Sequence, residues 1–92
     1  PERASRLNRA RSVLDAGIPL SFSSDRPIVP GSPVNGIAAA VHRPEGFDPA
    51  ENVSREEAIL AYTVGGAIAN GDEPIMGSLE EGQVADWTLW PA

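Results

Sequence analysis

The sequence predicts an α/β protein, because helical and strand-like hydrophobic periods follow one another along its 92 residues. A helix-like stretch ends at Gly17 and leads directly into a short alternating segment. A second helical region begins at a capping sequence, Ser54 to Glu57, and the last third alternates apolar and polar residues. The predicted order of elements is helix, strand, helix, helix and β-ribbon.

The first predicted unit is a helix followed by a strand. Apolar residues recur at helical spacing from Ser5 to Ala16, and Gly17 is the residue type at which such helices end. The next residues, Pro19 to Ser24, alternate apolar and polar side chains, with Leu20 and Phe22 on one face. This period of two is typical of a strand.

Two further helices are predicted in the middle of the chain. The stretch from Arg26 to Gly36 holds three prolines and two glycines, which indicates a loop. An alanine-rich helix then runs to Arg43, and it can begin as early as Ser32 with Pro33 in the first helical position. The second helix, largely apolar, follows the capping box and stops near Asn70.

The last third is predicted to form a β-ribbon. A short strand around Ile75 to Leu79 leads into a turn at Glu80 to Gln83, and a second strand runs from Val84 to Trp90. Two strands alone do not make a stable sheet. The ribbon therefore needs partners that this sequence does not visibly contain.

Composition excludes several classes of protein and site. The chain carries 13 acids against seven arginines, with no lysine, for a net charge of −6. Nucleic-acid binding requires clustered cations, so a nucleic-acid partner is not expected. The absence of cysteine excludes disulfides and thiolate metal sites. No apolar run approaches the length of a membrane span, so we expect a cytoplasmic protein with no membrane partner.

The ends of the sequence indicate a piece of a larger protein. The chain begins with Pro1, and its one methionine is Met76. We therefore expect a processed or truncated chain, in which a functional site can be incomplete.

Asp25 is the leading candidate for a functional residue. It follows the predicted strand, and acids at the carboxyl ends of parallel strands point toward the edge where α/β folds place their chemistry. The alternative is that Asp25 hydrogen-bonds backbone amides of its own proline-rich loop. His42, the one histidine, has no second histidine or cysteine beside it and is more typical of a surface residue.

Complete catalytic motifs are missing from the sequence. It contains no phosphate-binding glycine motif, no nucleophile elbow and no His-x-His pair. The chain as written cannot assemble a nucleophile, a base and an orienting residue.

From Arg9 to Trp90 the sequence resembles the metal-dependent amidohydrolases, specifically amidohydrolase family 3. The resemblance depends on a few short words: Ser24-Asp25 with Pro27, Ala40-Val41 with Arg43, Glu57-Ala58 with Ala61-Tyr62-Thr63, and Gly77-Ser78-Leu79-Glu80 with Gly82 and Ala85-Asp86.

The resemblance implies a fold and a domain division. Residues 1–72 would be the C-terminal portion of a (β/α)8 TIM barrel, comprising its last helix–strand–helix units. Residues 73–92 would supply strands of an accessory, composite β-sandwich domain. The segment Pro19 to Ser24 would then be the eighth barrel strand.

The resemblance also implies an activity. Family members hydrolyse carbon–nitrogen bonds other than peptide bonds, and the aspartate that ends the eighth strand lies beside a divalent metal as ligand and general base. That residue is Asp25, and zinc is the expected ion. The remaining ligands, a His-x-His, a lysine or acid and two further histidines, are absent from this sequence. The chain alone is therefore expected to be inactive and to bind no metal stably, and its substrate-binding residues are not identified.

Two hypotheses about partners follow. As part of a hydrolase, the chain would contact the rest of its parent polypeptide, and the parent would take a small-molecule substrate. As a non-catalytic interaction module, it would self-associate into a homo-oligomer, with Asp25 capping a loop and the ribbon recruiting a partner strand.

Overall fold

The computed structural model describes residues 3–91, and within that range the regular structure is helical. There are four α-helices and two short 3₁₀ turns in this range: α1 (Ala10–Asp15), α2 (Pro33–Val41), α3 (Arg55–Tyr62), α4 (Val64–Asn70), and the turns Ala4–Arg6 and Pro49–Glu51. None of the helices described is long and apolar enough to cross a membrane.

The predicted α/β class is wrong, because no strand occurs between residues 3 and 91. Pro19 to Ser24, predicted as a barrel strand, is an unpaired segment without a strand partner to complete a ladder. The two arms of the predicted β-ribbon share a single backbone hydrogen bond in the described range, from Val84 N–H to Ile75 O at 2.8 Å. Neither the barrel portion nor the ribbon is formed, since each needs strands from elsewhere.

The predicted helix starts are confirmed where the signal is local. Ser32 caps α2 by accepting from the Asn35 N–H, and Pro33 occupies the first helical position. At α3 the Ser54 hydroxyl accepts from the Glu57 N–H at 3.1 Å, and the Glu57 carboxylate accepts from the Ser54 N–H at 2.7 Å. Both caps satisfy N–H groups that have no partner inside the helix.

Two predicted helices are interrupted. The first breaks at Asn8, which has a φ of 48° in the left-handed region that asparagine tolerates. The second breaks at Thr63, where φ is −119° and ψ is −95°. The Thr63 hydroxyl donates back to the carbonyl of Ile59 at 2.9 Å, a bond that bends helices. Gly65 and Gly66 follow the break, and glycine weakens a continuous helix.

The core is small and lies where α2 and α3 pack together. Ile37, Val53 and Ala58 form its buried cluster, and Leu14 and Phe22 are among the half-buried residues packed against it. No large side chain in the described range is fully buried. Apolar burial therefore leaves a substantial part of the stability to polar contacts.

Two carboxylates hold α1 against the rest of the molecule. Glu51 is buried and accepts from both the backbone N–H and the hydroxyl of Ser12, which lower the pKa of its carboxyl. Glu57 accepts two bonds from the Arg11 guanidinium, at 3.0 and 2.7 Å. That pair, with the Ser54 N–H, lowers the pKa of Glu57 to about 2.

These lowered pKa values predict acid sensitivity. A carboxyl with a depressed folded-state pKa stabilises the fold above its ordinary value, which is 4.5 for Glu57, and this stabilisation is lost as the pH falls toward about 2. We expect Glu57→Gln to lower the free energy of unfolding at pH 7 and to lose less of it between pH 7 and pH 3 than the unmodified chain. Urea unfolding at the two pH values measures both effects.

The matched control is Glu56→Gln, which changes the neighbouring exposed acid in the first turn of α3. This substitution should leave both the stability and its pH dependence close to those of the unmodified chain. Equal pH dependence in the two variants would show that the Arg11–Glu57 pair is not responsible.

Candidate functional site

The residues that lead to Asp25, Pro19 to Ser24, are called the segment below. The segment keeps the alternation predicted for a strand, although it has no strand partner in the described range. Leu20, Phe22 and Ser24 are half-buried, whereas Ser21, Ser23 and Asp25 are exposed. The exposed face of this segment therefore ends in the carboxylate of Asp25.

One residue of the segment is bonded to the helical body through its backbone. The Phe22 N–H donates to the Ala61 carbonyl, close to the end of α3, at 2.9 Å. The Phe22 ring also meets the Tyr62 ring edge to face, with 5.5 Å between centroids. These two contacts of Phe22 hold the half-buried face of the segment against the helices.

Asp25 has a backbone conformation that few residues adopt. Its φ is 55°, in the left-handed region that aspartate and asparagine visit more readily than other side chains. The Asp25 carbonyl accepts from the Ile28 N–H at 2.9 Å and so closes the turn. A sharp turn thus begins at the last residue of the exposed face.

The Asp25 carboxylate does not cap the loop. Within residues 3–91 it has neither a hydrogen-bond donor nor a cation as partner. The neighbouring hydroxyl of Ser24 instead accepts from the Arg26 N–H at 3.3 Å. Of the two alternatives left open by the sequence, the loop cap is therefore the one that these contacts do not support.

The described residues do not fit a metal centre by themselves. No group of three or more His, Cys, Asp or Glu residues lies close enough to share an ion anywhere from residue 3 to residue 91. His42 lines a separate cavity of about 360 Å³ with Arg55 and Trp90, and Asp25 is not part of it. Asp25 is at most one ligand of a larger set.

A second feature near the segment was not predicted. An open groove of about 590 Å³ runs between α1, the segment and α2, with aromatic walls from Phe22, Phe47 and Tyr62. Arg43 lines it, with its guanidinium 5.2 Å from the centroid of the Phe47 ring. No pattern in the sequence indicates this groove, because its walls come from residues far apart in the chain.

Arg43 also connects the groove to the N-terminal residues. Its guanidinium donates to the carbonyls of Leu7 and Asn8 at 2.8 and 2.7 Å. These bonds span 36 and 35 residues, respectively, and stabilise the turn at Asn8. Arg43 therefore has a structural function in this chain.

Comparison with known proteins identifies the family. A model of the amidohydrolase family matches residues 1–92. The chain belongs to the amidohydrolase family. This confirms the resemblance carried by the words around Asp25, Arg43, Tyr62 and Gly77.

Relatives of this amidohydrolase chain are much longer than it is. It is 36% identical over 85 residues to N-substituted formamide deformylase of Arthrobacter pascens, covering 88% of this chain and 16% of that protein. It is 32% identical over 84 residues to Protein LONG AFTER FAR-RED 3 of Arabidopsis thaliana, covering 86% and 14%.

A solved structure is also similar. The crystal structure of an uncharacterized metal-dependent hydrolase from Pyrococcus furiosus matches this chain with a TM-score of 0.81 and 44% identity, over 92% of this chain and 18% of that one. The chain thus spans between 14 and 18% of the length of these three relatives.

The contacts of Asp25 predict how its substitution affects stability. Asp25→Asn should change the free energy of unfolding by less than about 0.5 kcal/mol, because the carboxylate has no partner to lose in the described range. Asp25→Val should cost about 1–2 kcal/mol, because a β-branched residue does not tolerate a φ of 55°. Urea denaturation of both variants measures these values.

Ser23→Val is the matched control, since Ser23 lies on the same exposed face without a positive φ. It should be tolerated because β-branched residues suit extended backbone. A large loss of stability in Asp25→Asn would restore the loop cap as the role of this side chain.

Proposed function

We propose that this chain supplies a proton-accepting carboxylate, Asp25, to a metal-dependent hydrolase that cleaves carbon–nitrogen bonds other than peptide bonds. The observation that carries the proposal is the free, exposed carboxylate of Asp25 at the end of the segment. The family membership and the relatives named as a deformylase and a metal-dependent hydrolase support the reaction class.

The geometry suits general-base chemistry. A general base must reach a water molecule within hydrogen-bond distance and have a free lone pair to take its proton. The carboxylate of Asp25 is exposed, and no donor among residues 3–91 occupies its oxygens. The turn that the Asp25 carbonyl makes with Ile28 positions the backbone from which this carboxylate projects.

The metal of the proposed hydrolase is a divalent ion, with zinc as the expected species. When bound, such an ion lowers the pKa of a coordinated water. The described residues do not fit such a centre alone, since at most one carboxylate is available at the end of the segment. We therefore propose that the other ligands belong to further residues of a longer polypeptide, and we expect no turnover by this chain alone.

The test uses the longer polypeptide that carries this chain, with an N-substituted formamide as probe and released formate as the readout. Asp25→Asn should lower kcat by about 10²–10⁴-fold, because it removes the proton acceptor while keeping the shape of the side chain. The matched control is Glu45→Gln, which changes an exposed acid in a different loop and should leave kcat unchanged. Full activity in Asp25→Asn would overturn the proposed role.

Exposed apolar residues favour a second candidate, a self-associating module. Leu79, Trp87 and Leu89 are 73, 70 and 83% exposed. Large exposed apolar side chains in one region mark a surface that contacts another polypeptide. In the isolated chain, the available polypeptide is a second copy.

Sedimentation velocity tests this second candidate. The isolated chain should form dimers or larger species at high concentration, and the double variant Trp87→Ser with Leu89→Ser should shift it toward monomer because it removes the apolar surface. A matched double variant, Glu80→Ser with Glu81→Ser, changes exposed acids of the preceding turn and should keep the association. A monomer throughout would rule out self-association.

A further inference from the structure

Gly65, in the first turn of α4, makes an unusually close backbone contact. It is buried, and a Cβ atom at this position would overlap the carbonyl oxygen of Leu20. That Cβ would also lie 3.2 Å from the Leu20 carbonyl carbon. The φ of Gly65 is not in the left-handed region, so it is this contact that requires glycine here.

A second contact fixes the same segment two residues later. The Phe22 N–H donates to the Ala61 carbonyl, and this carbonyl lies just before the helix break at Thr63. Leu20 therefore packs against Gly65, and Phe22 is hydrogen-bonded to the backbone just before the helix break. We call this pair of contacts the docking site of the segment.

The docking site determines which face Asp25 occupies. Leu20 and Phe22 share the packed face, and Ser23 and Asp25 share the exposed face. Because side chains alternate with a period of two, a shift of one residue would turn Asp25 toward the helices. The position of the carboxylate thus depends on the contact with Gly65, about 40 residues away in sequence.

We propose that Gly65 is a positioning residue for Asp25, acting through the backbone of Leu20 and Phe22. This inference rests on the proposed function of Asp25 and adds a residue that does not touch the substrate. Its effect is on where the carboxylate lies and not on its chemistry.

Gly66 provides a matched control. It follows Gly65 in α4, has no positive φ, and an added Cβ would lie 3.9 Å from the Ser21 hydroxyl, an ordinary contact. Gly65→Ala and Gly66→Ala gain the same helix propensity. They differ in the clash with the Leu20 carbonyl.

The first experiment is amide hydrogen exchange on the unmodified chain, which does not depend on any variant folding. The Phe22 amide should exchange at least about 10-fold more slowly than the amides of Ser21 and Ser23, because it alone of the three has a described backbone partner. Equal rates for the three amides would overturn the docking site and the inference with it.

The second experiment compares the two glycine variants in the longer polypeptide. Gly65→Ala should remove the protection of the Phe22 amide and lower kcat by about 10²-fold with a smaller change in KM, since displacement by about 1 Å is costly for catalysis. Gly66→Ala should leave all three unchanged.

The outcomes separate this inference from the proposed function. If Asp25→Asn abolishes activity but Gly65→Ala behaves like Gly66→Ala, the positioning inference is wrong and the role of Asp25 stands. If Asp25→Asn keeps full activity, both fail, because there is then no catalytic carboxylate to position.

Discussion

The packing of the helices depends on two carboxylates that form hydrogen bonds to the short first helix, α1. α1 has six residues, and a helix of that length does not form by itself in water. The sequence of α1 lacks a hydrogen-bond acceptor for its N-terminal end, and Glu51 supplies one by accepting from the Ser12 N–H. Glu57 binds the adjacent Arg11. Through these bonds α1 covers one side of the core with Leu14. Glu57 simultaneously closes the capping box of α3, so a single side chain joins two helices.

Because the core is small, polar contacts contribute a substantial part of the stability of this arrangement. Of the five buried apolar residues between positions 3 and 91, three are alanines, at positions 58, 61 and 67. Alanines let backbones approach closely but bury little apolar area per residue. This approach allows the segment before Asp25 to bond the Ala61 carbonyl directly. Large apolar side chains such as Trp87 and Leu89 remain exposed outside this core.

The local parts of the structure could be predicted from the sequence and the remote parts could not. Caps at Ser32 and Ser54 depend on residues three positions away, and the structure has both. The strand predictions were wrong because a strand forms only when it is hydrogen-bonded to another strand. The described residues provide no such strand for Pro19–Ser24. The break at Thr63 was missed because the apolar run continues across it, while two glycines weaken the helix there.

The candidate site shows the same division. Its position directly after the predicted strand made Asp25 a candidate, and the family resemblance implied a role for it. No sequence pattern indicated the contacts that position Asp25, since Gly65 and Ala61 lie about 40 residues further along the chain. Glu51 and Arg43 were missed for the same reason, with partners 39 and 35 residues away.

The left-handed backbone at Asp25 restricts which residues can occupy that position. Its φ of 55° admits glycine, asparagine and aspartate at little cost, whereas proton transfer by a carboxylate admits aspartate and glutamate. Aspartate alone satisfies both demands. Asparagine and glycine keep the turn and lose the carboxylate. Either substitution would therefore leave a chain that folds normally and has no proton acceptor at this position.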